Sequence, residues 1–313
     1  MYFCHETLRL VYERAYLEDH RRRLAAMSLG PLRVLEDRWV IRRWAAEDRI
    51  TARAASAIAV NSTYSQGQVA AAYERQSTVC RLGVNADVFT PGAAGRRRSE
   101  VLTIGSPSLV KGHHLLVEAL ARLPLGVRPA LRLVMPVNDD SAWLEQLAAS
   151  LRVRLIVESD LDEEQLVERY QRALATCCAA RLEPFGLTPL ESMASGTPAI
   201  AVRQGGFRES IEDGVTGWLV EPAAEAFATR LEALIADPGL ADRVGAAGRA
   251  AVLKQWTWAQ SGHRIEDLVA ATAYSARGGV GQAPMPLSPV VGAFPMDGRG
   301  RAPEAAWTPH QER

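Results

Sequence analysis

Apolar and polar positions change rhythm as the chain is followed from its start. Residues 1–4 are apolar, begin with no turn or cap before them, and lead into helical periodicity. That periodicity breaks at Gly30-Pro31 and resumes over about 32–55. Ile58-Ala59-Val60 reads as a short buried strand, and Ser62 or Thr63 can cap a helix over about 64–75. A short strand near Val79-Cys80-Arg81 leads into Gly83. Residues 91–99 then read as a linker: a proline, small residues, a glycine and three arginines.

Beyond the linker the alternation is cleaner. Strands are predicted over 101–105, 131–137, 153–157, 174–178 and 199–202, with helices over 113–122, 142–151, 163–173 and 187–194 between them. Short apolar strands alternating with helices indicate a parallel sheet covered on both faces. The expected fold class is α/β, with two Rossmann-like doubly wound domains. The first, over residues 1–90, is expected to be incomplete, because only two or three strands precede the linker. The second spans 91–237, and the pattern over 238–275, carrying Trp256 and Trp258, is helical. In residues 276–313, twelve of 38 positions are Gly or Pro without periodicity, so a disordered tail is expected.

Composition narrows the partners. The 36 Lys and Arg balance 36 Asp and Glu, which removes any global electrostatic argument for nucleic acid. Cys4, Cys80, Cys177 and Cys178 show no metal-ligand spacing, and the adjacent pair in an apolar run suits buried thiols in a reducing compartment. No apolar stretch approaches the roughly 20 residues that span a bilayer, and no signal peptide is present, so a cytoplasmic protein is expected. Between Arg9 and Arg53, eleven arginines face seven acidic residues, including the run Arg21-Arg22-Arg23. Two readings stay open there: solvated helix faces, or a basic surface that meets anionic lipid or a phosphorylated acceptor.

The segment E-P-F-G-L-T-P-L-E, residues 183–191, stands where a predicted strand hands over to a helix. Ligands of doubly wound sheets bind at such strand ends. Pro184 and Gly186 make a tight loop, and Pro189 is tolerable only in a helix's first turn. The free N–H groups of that turn, with the helix dipole, form a site for a diphosphate. Glu191 near that end can accept hydrogen bonds from vicinal hydroxyls, while Glu183 lies before the helix, where it could meet a sugar. An isolated pair of this kind would read as a helix-dipole partner and a solvated loop acid; the surrounding residues argue otherwise.

The run E-P-F-G-L-T-P-L-E-S-M-A-S-G-T-P closely resembles the E-x7-E signature of the family 4 retaining glycosyltransferases, which have the GT-B fold. The likeness continues through Gly205-Gly206-Phe207-Arg208-Glu209 and through residues 213–220, and covers 58–65, 83–89, Lys111-Gly112 and 256–258. It implies a metal-independent enzyme that takes a nucleotide-sugar donor as substrate, needs no cofactor, and serves a saccharide, lipid-linked or small-molecule acceptor, with the helices over 238–275 packing back toward the first domain. Residue by residue, it implies that Glu191 holds the ribose hydroxyls and Glu183 faces the transferred sugar. Backbone amides of Phe185, Gly186 and Leu187, with the helix start at Thr188, would contact the sugar and diphosphate. Lys111 would neutralise the diphosphate. Where the family usually has Gly-Arg, this chain has Gly105-Ser106, one cation fewer unless an arginine from elsewhere substitutes. Phe3-Cys4-His5-Glu6-Thr7 resembles the strand end that carries a family histidine facing the donor sugar, which nominates His5 and implies that the chain begins at a late strand of its first domain.

Two local patterns have simpler accounts. Asp160-Leu161-Asp162 spells D-x-D, but Asp162 opens a helix with Glu163 and Glu164 in its first turn, so capping is expected. His113 and His114 are adjacent and so face different sides of a helix; no metal is assigned. Three functional readings remain: an active transferase, a non-catalytic nucleotide-sugar-binding remnant, and an epimerase, which the E-x7-E context matches less well.

Overall fold

The computed structural model describes residues 1–13, 16–17, 31–92 and 99–276. The run Arg21-Arg22-Arg23, the arginines of the linker and residues 277–313 of the tail lie outside the described residues.

The first sheet is parallel, with strands β1 (Tyr2–Cys4), β2 (Ile58–Val60) and β3 (Thr78–Val79) side by side in that order. Helices α1 (Arg9–Tyr12), α2 (Pro31–Ala54) and α3 (Thr63–Tyr73) accompany it. Ser62, not Thr63, caps α3: its extended backbone lets the side chain accept from the Ser65 N–H. The core here is small, built on Cys4, Ala52, Ile58, Val60, Val69 and Tyr73. The Tyr73 hydroxyl donates to Asp48 on α2 at 2.7 Å, which satisfies that polar tip.

The second sheet holds six parallel strands: β4 (Glu100–Ile104), β5 (Ala130–Val134), β6 (Leu155–Glu158), β7 (Ala173–Cys178), β8 (Ala199–Val202) and β9 (Gly217–Val220). Their spatial order is β6-β5-β4-β7-β8-β9, so the winding reverses between β4 and β7 and opens a crevice at the carboxyl ends of those two strands. Helices α4 (His113–Arg122), α5 (Ala142–Ser150), α6 (Glu163–Arg172), α7 (Leu187–Ala194), the short α8 (Phe207–Ser210) and α9 (Ala224–Ala236) follow the strands. β7 is buried at every position, as a central parallel strand should be.

The differences from the predicted elements have local causes. β5 stops short of Val137 because Pro136 has no N–H for the ladder; the Met135 N–H makes the last bond, to Glu158, at 2.9 Å. Val153 closes α5 instead of opening β6, since Arg152 adopts φ 55 and the Val153 N–H returns to Ala148. The sixth strand, β9, is absent from the periodicity reading; it begins with Gly217, where a Cβ would lie 2.6 Å from the Ala199 carbonyl oxygen. Asp162 caps α6 with a full capping box closed by Gln165.

Two further helices end the described chain, α10 (Pro238–Gln255) and α11 (Trp258–Ala276). α10 packs on the second domain: a Cβ at Gly245 would lie 2.0 Å from the Gly196 carbonyl oxygen, and Arg249 donates to the Ala194 carbonyl at 2.7 Å. α11 is the helix that reaches back, with Arg264 donating to the Arg81 carbonyl at 3.3 Å and Cys80 Sγ to the Arg264 carbonyl at 3.8 Å. All four cysteines are free and buried. Among the described residues, no helix is long and apolar enough to cross a membrane.

Candidate active site

The crevice between β4 and β7 is lined by residues from both strand ends. After β4 the chain turns through Gly105, at φ 134, and rises through a single 3-10 turn, Leu109–Lys111. Gly112 follows at φ 71, and a Cβ there would lie 2.3 Å from the Ala179 carbonyl oxygen, so this loop and the one after β7 touch through backbone. The Arg181 N–H donates to the Val110 carbonyl at 2.8 Å and completes the lacing. Lys111 is thereby delivered to the second loop: its Nζ lies 2.9 Å from Glu183 Oε2, and both side chains are partly open to solvent. A cleft of about 70 Å³ opens beside this pair, lined also by Gly186, Leu187, Thr188 and Phe207.

The loop carrying Glu183 is shaped from behind by the Gly205-Gly206-Phe207 turn. The Gly206 N–H donates to the Glu183 carbonyl at 2.7 Å. Gly186 stands at φ 86 against the Phe207 ring, which a Cβ would approach to 2.3 Å. No side chain caps α7 at Gly186, and Gly186, Leu187 and Thr188 line the cleft, so the helix begins there without a side-chain acceptor for its first N–H groups. Phe185 turns the other way, buried, with its ring centroid 5.9 Å from that of Trp256. It is not among the residues that line the cleft.

Glu191 lies one turn into α7, where its Oε2 accepts a 2.5 Å bond from the Tyr170 hydroxyl. Burial raises the Glu191 carboxyl above the usual carboxylate range, and the Tyr170 bond opposes that rise. Burial also pushes the Tyr170 phenol well above its ordinary value, with the Glu191 charge adding to it. One carboxylate oxygen is thus engaged from below by the protein. Tyr170 is a residue that the sequence reading missed: its spacing from Val167 marks a core face of α6, but nothing in that spacing reveals the partner of its hydroxyl.

His113 holds the other wall. It is buried at the start of α4, with Nε2 at 3.1 Å from the Ser106 carbonyl and Nδ1 at 3.1 Å from Thr103 Oγ1. A carbonyl only accepts, so Nε2 carries the proton and Nδ1 accepts from the threonine hydroxyl. Burial lowers the His113 pKa to about 4. Because the folded value lies below the ordinary 6.5, the unfolded chain takes up the proton first as pH falls. Stability from this group is complete above about pH 6.5 and declines toward pH 4, by about 3 kcal/mol in all. His113→Asn is expected to flatten this limb of the stability curve in urea titrations between pH 7 and pH 4; an unchanged slope would assign the acid sensitivity elsewhere.

Ser106 is therefore bonded through its carbonyl, and among the described residues no arginine lines the cleft. His5 lies past the end of β1, exposed, with its ring centroid 4.7 Å from that of Phe3 and its carbonyl accepting from Asn61 Nδ2 at 2.8 Å. It does not line the cleft, whereas Lys111, Glu183, Gly186, Leu187 and Thr188 do. Glu209, on α8, closes a seam between the domains: its carboxylate accepts from the Tyr64 N–H and the Thr63 hydroxyl, each at 3.1 Å, and pairs with Arg81 at 2.9 Å.

Likeness to known proteins agrees with this geometry. Residues 91–251, just over half of the chain, match the family model described as glycosyl transferases group 1. The chain is 38% identical over 180 residues to a D-inositol 3-phosphate glycosyltransferase of Geodermatophilus obscurus, a match covering 50% of this chain and 40% of the relative. It is 29% identical over 230 residues to a GDP-mannose-dependent alpha-(1-6)-phosphatidylinositol monomannoside mannosyltransferase of Mycolicibacterium smegmatis, covering 66% and 60%. The chain thus spans about 40–60% of the length of these relatives. Among solved structures, it is similar to sucrose-phosphate synthase from Thermosynechococcus elongatus at TM-score 0.67 and 25% identity, covering 75% of this chain and 62% of that one. The Anabaena protein HepE in complex with UDP-glucose superposes at TM-score 0.64 and 21% identity, covering 72% and 67%, which speaks for the fold. The two parallel sheets, the crevice where the winding reverses and these likenesses lead to one assignment: the chain has the GT-B fold and belongs to the glycosyl transferases group 1 family.

Proposed function

We propose that this chain is a retaining glycosyltransferase that moves a sugar from a nucleotide-diphosphate-sugar donor to a saccharide, lipid-linked or small-molecule acceptor. The observation that carries the reading is Lys111 paired with Glu183 at 2.9 Å beside the uncapped start of α7. A point charge and a helix N-terminus, both aimed at one small cleft, suit the growing charge of a departing diphosphate without a metal cofactor. In this reading the diphosphate lies over Gly186, Leu187 and Thr188, with Gly105 and Ser106 opposite. Glu191 takes the ribose hydroxyls with the oxygen that Tyr170 leaves available, and Glu183 meets the transferred sugar. The cleft, about 70 Å³, is small beside the ~300–1,000 Å³ of a typical ligand pocket, so only part of the donor would be enclosed and His5 would approach from the open side.

Among the described residues that line the cleft, Glu183 is the one carboxylate; reaction on one face, with the leaving phosphate taking the acceptor's proton, is what the family resemblance implies for such a site. The mannosyltransferase relative, whose name states GDP-mannose dependence, supports a nucleotide-sugar donor. The four free, buried cysteines suit a reducing compartment, and we place the protein in the cytoplasm. α2 exposes Trp39 and Ile50 among Arg42, Arg43 and Arg53, a mixture suited to peripheral contact with an anionic membrane surface; co-sedimentation with anionic vesicles decides that point.

Glu191→Ala is expected to weaken nucleoside diphosphate binding about 10–100-fold, the loss typical of a charged hydrogen-bond partner. Glu183→Ala should instead lower turnover and leave nucleotide affinity nearly intact. Calorimetry with UDP and GDP, alongside assays with UDP- and GDP-sugars, separates the two. Wild-type binding and turnover in both variants would sink the assignment. A second reading, a nucleotide-sugar-binding remnant, draws on Ser106 standing where an arginine is usual; donor binding with neither transfer nor donor hydrolysis would select it.

A further inference from the structure

Arg9 begins the short helix α1 in the first domain, yet it is only 7% exposed and its guanidinium points into the second. Nη2 donates to the carbonyls of Arg181 at 3.0 Å and Leu182 at 2.8 Å. Nε donates to Glu13 Oε1 at 3.0 Å, and the Tyr16 ring centroid lies 3.9 Å from the guanidinium carbon. The group is anchored by a carboxylate, covered by a ring and spent on two peptide oxygens. Burying a cation this way is costly unless it is paired and bonded, as this one is.

Those two oxygens belong to the residues immediately before Glu183. Leu182 holds φ 50, the left-handed region, where a non-glycine residue is disfavoured by about 1–2 kcal/mol. Such backbone persists only where its surroundings enforce it. The next two carbonyls are also bound: that of Glu183 by the Gly206 N–H at 2.7 Å, and that of Pro184 by the Ser62 hydroxyl. Four successive carbonyls, 181 to 184, therefore each have a donor, and the donors to three of them come from the first domain. The loop is gripped by its oxygens while its one carboxylate is left to face Lys111.

We propose that Arg9 is a positioning residue for Glu183: its two carbonyl bonds hold the 181–182 turn in its left-handed form and so aim the Glu183 carboxylate at the cleft. The proposal rests on the reading of Glu183 as the group that meets the transferred sugar. Arg9 acts through the loop and makes no contact with the donor. Glu191 stands on α7, beyond the gripped loop, and the turn that carries Lys111, though laced to Arg181, is also closed by its own bonds from the Lys111 N–H to the Ser108 carbonyl at 3.0 Å and from the Gly112 N–H to the Leu109 carbonyl at 3.2 Å, so nucleotide affinity is expected to survive the loss of Arg9. Lysine in its place keeps charge and donors but loses the Nε anchor to Glu13 that fixes the plane of the group.

The test compares the wild-type chain with Arg9→Gln and Arg9→Lys, using UDP-glucose and GDP-mannose as donors, UDP and GDP as calorimetric probes, and hydrogen exchange across residues 181–185. Arg9→Gln is expected to lower kcat by about 10–100-fold, the scale of a misplaced reacting group, and Arg9→Lys by less. Dissociation constants for UDP and GDP should stay within about twofold, and exchange at 181–185 should quicken about tenfold while β5 and β8 keep their protection. Wild-type kcat and exchange in Arg9→Gln would overturn the proposal. So would a parallel loss of nucleotide binding and of protection throughout the second sheet in both variants, which would mark Arg9 as a general support. If the wild type turns over no donor, the functional reading fails, and the exchange measurement still decides whether Arg9 holds the loop.

Discussion

Lys111→Ala is expected to lower kcat for sugar transfer by about 10²–10³-fold, the range seen when one preorganised donor to a developing charge is removed. Two effects combine in that number. In the proposed reading the departing diphosphate loses a cation that lines the cleft, and Glu183 loses the partner now 2.9 Å away. An unpaired carboxylate next to a diphosphate adds repulsion where attraction stood. Lys111→Met separates the charge from the packing, because the aliphatic stem lies over Gly105, with Cδ 3.6 Å from where a Cβ would be. It should lose nearly as much turnover as alanine while keeping the thermal stability of the wild type. The Lys111→Ala, Glu183→Gln double variant should be less impaired than the product of the singles, since each removes the other's partner. Steady-state kcat and KM for the donor, with calorimetric affinities for the nucleoside diphosphate, provide the measurement. A kcat within threefold of wild type in Lys111→Ala would remove this residue from the mechanism.

Gly205→Ala is expected to cost about 2–3 kcal/mol of stability and most of the activity. Two penalties coincide at this position. Its φ of 57 is left-handed, and a Cβ would lie 2.2 Å from the carbonyl oxygen of Glu183 and 2.8 Å from its nitrogen. Those are backbone atoms in a loop already held from several sides, so they cannot swing aside as a side-chain end could. The shift would fall on Glu183 itself. Gly214→Ala is the control: φ is 79 there, but nothing lies within 4 Å of the added atom. It should lose about 1–2 kcal/mol from backbone strain alone and leave turnover unchanged. Urea midpoints and donor turnover of the two variants distinguish strain from displacement; equal activity losses would refute the steric account.

Much of the second domain was legible because its rules are local. Short apolar runs between amphipathic helices specify buried parallel strands, and Asp162 before two glutamates specifies a helix start whatever lies around it. The E-x7-E segment was legible for a related reason: Pro184, Gly186 and Pro189 constrain the backbone from within, so strand, loop and helix start could be placed. β9 was missed because its first residue is there to let another backbone approach, and that need is invisible along the chain. Tyr170, His113 and Arg9 were missed because each meets its partner through the fold. Tyr170 reaches Glu191 from 21 residues away, and Arg9 reaches Arg181 and Leu182 from 172 and 173. His113 looked like half of an adjacent histidine pair; burial made it a neutral strut for the Ser106 carbonyl.

By itself the sequence determined the α/β class, the strand-to-helix crossing at residues 183–191 and the family, because periodicity, caps and turn residues act over a few neighbours. The tertiary structure decided which charged groups meet. It set Lys111 against Glu183, engaged one oxygen of Glu191 with Tyr170, and placed His5 outside the cleft that holds the pair. It also turned the G-G-x-x-E segment into the backing of the Glu183 loop and into a seam with the first domain, through Gly206 and Glu209. The physical reason is the same in each case. Hydrogen bonds and ion pairs act over about 3 Å, and only the fold of the second domain, or for Glu209 the docking of the first domain on it, brings residues so far apart in the chain within that distance.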